Sequence, residues 1–178
     1  MKVLVAYATA HGSTGDVARR IGSILQQNGH DVTVREAQYI TDVNGYEAFV
    51  LGTAIESGVW LPALTEFVMR FEGQIKDKPT YVWVNCIRVM EEYGMSHIME
   101  YYMPKELLAK LNVRGITALA GKLDLGSVDW TERWTLSTRY DGHAWPTNFD
   151  GDFRDWDKIF DWGISVIKDL QAVKLQQI

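Results

Sequence analysis

The chain has 178 residues, with 18 basic and 23 acidic side chains, and 47% of its residues are of apolar type. That length builds one domain with a full core, since a domain takes roughly 100–200 residues, and the composition excludes a disordered or collagen-like chain. The net charge of −5 and pI near 5.3 oppose nucleic acid and anionic lipid, and the longest basic run is Arg19-Arg20.

The first strand is Lys2–Ala8, a continuous apolar run rich in β-branched residues, as expected of a strand covered on both faces. A turn of small residues, Thr9-Ala-His-Gly-Ser-Thr-Gly15, follows it. The spacing of Val17, Ile21, Ile24 and Leu25 predicts a helix over 14–28, stopped by Gly29. Asp31–Glu36 alternates like a half-buried edge strand, and 37–45 reads as a short helix or loop. Tyr46–Gly52 is the third strand and Thr53–Leu61 a loop. Pro62 opens a helix to Phe71 with Leu64, Phe67, Val68 and Phe71 on one side. Thr80–Asn85 is the fourth strand. Residues 91–112 read as helix broken near Pro104, with Lys105–Leu111 as a second segment and Glu91-Glu92 as a helix-start pair. Gly115–Gly121 is the fifth strand. Asp155–Leu175 closes the chain as a helix with Trp156, Ile159, Phe160, Ile164 and Ile167 inward.

Strands alternating with helices predict an α/β fold, a parallel sheet covered on both faces. Residues 1–178 read as one domain with a long acidic, aromatic loop at about 122–154. That loop carries Trp130, Trp134, Tyr140, Trp145, Phe149 and Phe153. Loops beyond ~15 residues are uncommon unless functional or disordered, and this aromatic content argues against disorder. Core packing accounts for some of Trp130, Trp134, Trp145 and Phe149, and four in one loop suggest a lid or substrate wall, or equally the core of a homodimer interface. Cys86 is the sole cysteine, so an intramolecular disulfide is excluded and a cysteine metal cluster is not expected; His30, His97 and His143 share no ligand spacing. No signal-like or membrane-length apolar run is present, and a cytoplasmic location is expected.

Ligands of open α/β sheets bind outside the carboxyl ends of the strands. The turn after the first strand runs into a helix N-terminus, where free amides and hydroxyls make an anion site. It has no Lys for a nucleoside-triphosphate P-loop and lacks the Gly-x-Gly-x-x-Gly of dinucleotide sites. Receiver-domain acids and a Cys-x5-Arg phosphatase loop are absent as well. A hydroxyl-rich loop without a cation remains, suited to a phosphate monoester whose other half contributes much of the binding. Thr9-x-x-Gly12-x-Thr14 resembles the first loop of the flavodoxin family, which cradles the phosphate of flavin mononucleotide (FMN), with His11 in place of a hydroxyl. The resemblance implies a doubly wound sheet of five parallel strands in order 2-1-3-4-5, with FMN as cofactor.

Phe49–Val68 is similar to the flavodoxin-domain subgroup that includes bacterial menaquinone-dependent protoporphyrinogen IX dehydrogenases, as are Val84-Asn85, Ala120-Gly121 and Asp155-Trp156. The likeness covers roughly 2–121 and 155–170. It implies that Thr9, His11, Gly12, Ser13 and Thr14 line the phosphate. Thr53, Ala54, Ile55, Glu56, Ser57, Gly58 and Trp60 would lie along one edge of the flavin ring, and Asn85, Cys86, Ile87, Arg88, Gly121, Lys122 and Leu123 near the other. Trp60 reads equally as a ring-stacking residue or as core. Glu56 stands where the subgroup carries Arg. The segment Lys122–Asp157 has four basic and eight acidic residues, an acidic rim that opposes propionate-bearing porphyrinogens.

Two expectations follow for function. One is an FMN oxidoreductase acting on a quinone- or tetrapyrrole-like molecule, with a small-molecule substrate. The other is an electron carrier that docks on redox partner proteins through its acidic surface. A binding module that kept the fold and lost the flavin is the non-redox reading, because fold alone never proves activity.

Overall fold

The computed structural model describes residues 1–124, 126, 130–131 and 151–176. Five parallel strands form the main sheet: β1 (Lys2–Ala8), β2 (Asp31–Glu36), β3 (Ala48–Glu56), β5 (Thr80–Asn85) and β6 (Val113–Leu119). Their order is β2-β1-β3-β5-β6, with a short antiparallel β4 (Val59–Trp60) added to β3. Counted among the parallel strands alone, this is the predicted 2-1-3-4-5 arrangement.

Strand alternation divides the core in two. Leu4, Ala6, Phe49, Leu51, Val82 and Val84 face one side, where α2 (Pro62–Ile75), α3 (Gly94–Tyr101) and α4 (Lys105–Leu108) cover them. Val3, Val5, Val50, Tyr81 and Trp83 face the other, against α1 (Ser13–Gln27) and α5 (Trp156–Gln176). Helix α1 buries Val17, Ile21, Ile24 and Leu25, and α2 buries Leu64, Phe67, Val68 and Phe71, as their spacing predicts.

Three expectations are corrected. The segment Thr53–Leu61 is not a loop: β3 continues to Glu56, and Ser57 and Gly58, both at positive φ (50° and 82°), turn the chain back into β4. Two such residues make the tight turn whose twist matches a hairpin. Residues 91–112 are not helical from their start, because Tyr93 takes a left-handed φ of 62° and α3 begins only at Gly94. In α5, Trp156 and Phe160 are each 42% exposed rather than inward; the buried stripe is Ile159, Gly163, Val166, Ile167 and Leu170.

At the end of the sheet where β5 and β6 begin, Tyr81 donates its hydroxyl to Asp169 Oδ2 at 2.6 Å, and Arg114 grips the same carboxylate at 2.5 and 2.8 Å. Arg114 first, then Tyr81, holds the Asp169 carboxyl below the usual carboxylate range. A depressed folded pKa contributes stability that is full above the unfolded value near 3.8 and is lost as pH falls through the folded value. Asp169→Asn is therefore expected to melt earlier than the wild type at pH 7 and to lose less on acidification. Thermal melts between about pH 7 and pH 2 should converge at the acid end; parallel curves would refute the assignment.

Candidate functional site

Parallel pairing aligns Ala8 with Thr53, Thr53 with Val84 and Val84 with Ala118 in one row across the sheet. The segments that follow this row therefore emerge at one edge: 9–12, the tip of the β3–β4 hairpin, 86–93 and 120–124. This edge carries the predicted site residues.

The loop after β1 is shaped by Gly12, whose φ of +90° is reserved in practice for glycine. Its amide donates to Thr9 Oγ1 at 2.9 Å, and its carbonyl accepts from Gly15 and Asp16 at 3.0 and 3.3 Å. A Cβ at Gly12 would meet nothing within 4 Å, so the loop faces open space there. The first turn of α1 has no side-chain cap, although free amides at a helix start normally find one. Within that turn Thr14 is fully buried, and its Oγ1 has no hydrogen-bond partner. A buried hydroxyl without a partner costs free energy. An uncapped helix start, an orphaned hydroxyl and an open glycine together fit a phosphate monoester. His11 and Gly12 are exposed, and Ser13 is half-buried.

Ser13 lies against the loop after β6, with its Oγ 3.6 Å from where a Cβ of Gly121 would stand; Asn85 Cβ is at 3.8 Å from the same point. Thus Ser13, Asn85 and Gly121, named from three separate segments, come together. Asn85 is fixed rather than free. Its Oδ1 accepts from the Trp83 indole at 3.1 Å, and its Nδ2 donates to Ala120 O at 3.2 Å.

The hairpin residues separate by role. Thr53 is fully buried, donates to Ala54 O at 2.9 Å and accepts from the Leu61 amide at 3.2 Å, so its hydroxyl serves the hairpin. Ala54 and Ile55 are half-buried against the core, while Glu56 and Ser57 are exposed at the tip and Gly58 packs beside the Tyr102 ring. Trp60 is a core residue at 5% exposure, with its Nε1 buried and unpartnered. Cys86 is buried, and Ile87 is half-buried. Arg88 lies 5.7 Å over the Tyr102 ring and 3.7 Å from Glu91. Lys122 and Leu123 form β7, paired antiparallel with β8 (Gly151–Asp152).

Sequence reasoning missed two features. Val59, Met90, Tyr93, Met95 and Tyr101 are exposed apolar side chains on the hairpin and on the 86–101 segment; only side-chain direction, which periodicity does not give there, reveals them. Arg154 joins its neighbour Asp152 to Asp16, 138 residues away in the chain, a separation no local pattern signals. Of the loop aromatics, Trp130 is 78% exposed, and the Phe153 amide donates to Gly121 O at 3.1 Å. Trp134, Tyr140, Trp145 and Phe149 lie outside the described residues, as does His143. Among the described residues no group of three His, Cys, Asp or Glu is placed to hold a metal, and no helix is long and apolar enough to cross a membrane.

A model of the flavodoxin domain matches residues 4–148. Among curated proteins, the chain is 21% identical over 164 residues to protoporphyrinogen IX dehydrogenase (quinone) of Escherichia coli strain K12, covering 89% of this chain and 91% of that one. The same protein of E. coli O157:H7 matches equally. Among solved structures, oxidised flavodoxin 1 from Bacillus cereus superposes with a TM-score of 0.57 at 13% identity, over 94% of this chain and 98% of that chain. Rubredoxin oxygen:oxidoreductase from Desulfovibrio gigas gives 0.57 at 12% identity, over 96% of this chain but only 36% of that longer one. The two structures share the fold, and the domain match extends over most of the sequence. The chain belongs to the flavodoxin-domain family, whose cofactor is FMN.

Proposed function

We propose that the protein is an FMN-dependent oxidoreductase of the cytoplasm that acts on a small planar molecule of quinone or tetrapyrrole type. The observation that carries the cofactor reading is the buried, unpartnered Thr14 hydroxyl in an uncapped helix start. Thr9, His11, Gly12, Ser13 and Thr14 would hold the phosphate. The hairpin residues Thr53–Gly58 and Trp60 would border one edge of the ring, and Asn85–Arg88 with Gly121–Leu123 the other. When bound, FMN supplies hydride or electron transfer; the chain's part is to seat the flavin and limit access to it. The substrate class is supported by the dehydrogenase relative, matched over 91% of its length, and by Val59, Met90 and Tyr93 exposed on the segments that border the proposed ring position. The location rests on a lone cysteine, which fits a reducing compartment.

The acidic edge favours a second reading, a carrier that docks on basic redox proteins. Glu56 and Glu92 are exposed there, and the chain as a whole carries −5. The flavin-loaded protein, once reduced, should pass its two electrons per flavin to one equivalent of a soluble quinone within seconds of mixing, reoxidising the flavin, with weak dependence on salt. A carrier would instead reduce a basic haem protein faster than any quinone, and its rate would fall steeply with ionic strength. The first outcome supports the enzyme and the second replaces it.

A further inference from the structure

Thr9–Gly15 contains no Lys or Arg, and the first ionised group beyond it is the wrong sign for a phosphate. Asp16 lies in the first turn of α1, where the helix dipole favours its own carboxylate. Left alone it would repel a phosphate dianion seated at that helix start.

Arg154 answers this charge. Its side chain is only 9% exposed. Nη1 donates to Asp16 Oδ2 at 2.7 Å; Nε and Nη2 donate to Asp152 at 2.7 and 2.5 Å. The guanidinium face lies 4.8 Å from the Trp156 ring, which holds it from the side. The second Asp16 oxygen takes Arg19 at 2.5 Å. Both carboxyls are held below the usual carboxylate range by Arg154 first, so they stay ionised at neutral pH. The backbone next to Arg154 is tied to the same loop: the Phe153 amide bonds Gly121 O, and Gly121 abuts Ser13. A buried cation is thus delivered beside the phosphate loop from the far end of the sequence.

We propose that Arg154 is the positioning residue that neutralises Asp16 at the phosphate loop and so makes the site favour a phosphate-bearing flavin over riboflavin. The proposal rests on the FMN reading above. Arg154 acts through Asp16 rather than by touching the flavin, because each of its three guanidinium nitrogens already donates to one of two carboxylates.

The test is to titrate the flavin-stripped full chain with FMN and, separately, with riboflavin, following quenching of flavin fluorescence. Arg154→Met should weaken FMN by about tenfold at low ionic strength and leave riboflavin within about twofold. The FMN loss should shrink near about 0.5 M salt. Adding Asp16→Asn to that variant should restore most of the FMN affinity. Asp16→Asn alone changes a half-exposed side chain and is a safeguard if Arg154→Met folds poorly; it should tighten FMN several-fold and leave riboflavin unchanged. Equal losses for both flavins would make Arg154 a structural clip and overturn the proposal, as would an Asp16→Asn protein with an unaltered FMN-to-riboflavin ratio. A wild-type chain that binds neither flavin overturns the FMN reading and the proposal with it; one that binds FMN while the variants fail these tests overturns only the proposal.

Discussion

Replacing Thr14 by Val is expected to move two measurements in opposite directions. The Thr14 hydroxyl is fully buried and has no partner, so the flavin-free protein carries the desolvation cost of an unmade hydrogen bond. Val keeps the branched shape and removes that cost, and the flavin-free variant should be more stable by about 1 kcal/mol. At the proposed phosphate site the same change deletes a donor to an ionised phosphate, a bond worth about 1.5–3 kcal/mol, so FMN affinity should fall roughly 10- to 100-fold. Thermal melts of the flavin-free protein and fluorescence titration with FMN read the two effects separately. A variant destabilised without FMN, and unchanged in FMN affinity, would show that the hydroxyl serves the fold and not a ligand.

Trp83→Ala is expected to be the most damaging single substitution to stability. Trp83 is fully buried, and a Cβ added at Gly52 on the neighbouring strand would overlap its indole. Gly52 is therefore the space the indole fills, and truncation leaves a cavity between two flat strands that cannot collapse. A cost of about 3–5 kcal/mol follows, which for a chain of this size lowers Tm by roughly 10 °C. The loss should also reach the site. Trp83 Nε1 donates to Asn85 Oδ1, and Asn85 Nδ2 ties the β6 end through Ala120 O, so Trp83→Phe should spare most of the packing yet loosen flavin binding. Differential scanning calorimetry with and without FMN distinguishes these two contributions. A Trp83→Phe protein that binds FMN as tightly as the wild type would confine Trp83 to the core.

These residues also show what a sequence discloses. The strands and the buried faces of α1 and α2 were legible because apolar periodicity directly records which side of an element meets the core. The turn Thr9–Thr14 was legible as the loop between a buried strand and an amphipathic helix, the context that makes these common residue types the proposed anion site. The β3–β4 hairpin was not, since Thr53–Leu61 shows no long alternation and only the Ser57-Gly58 turn marks it. Trp156 and Phe160 misled for the opposite reason: they share a helical spacing with Ile159, but α5 rolls its Ile159–Gly163–Val166–Leu170 stripe inward and leaves both rings half in solvent. Trp156 instead lies against Arg154. Long-range polar contacts such as Arg154 with Asp16, or Tyr81 with Asp169, leave no local trace at all, because nothing in the spacing of either partner points to a residue so distant in the chain.

The most direct test of the central claim is the absorption spectrum of the purified protein, followed by mass analysis of whatever heat releases. The account predicts a yellow protein that releases FMN in near-equal molar amount. A colourless protein that also fails to bind added FMN would contradict it, leaving the Thr9–Gly15 loop an ordinary turn and the fold without its redox chemistry.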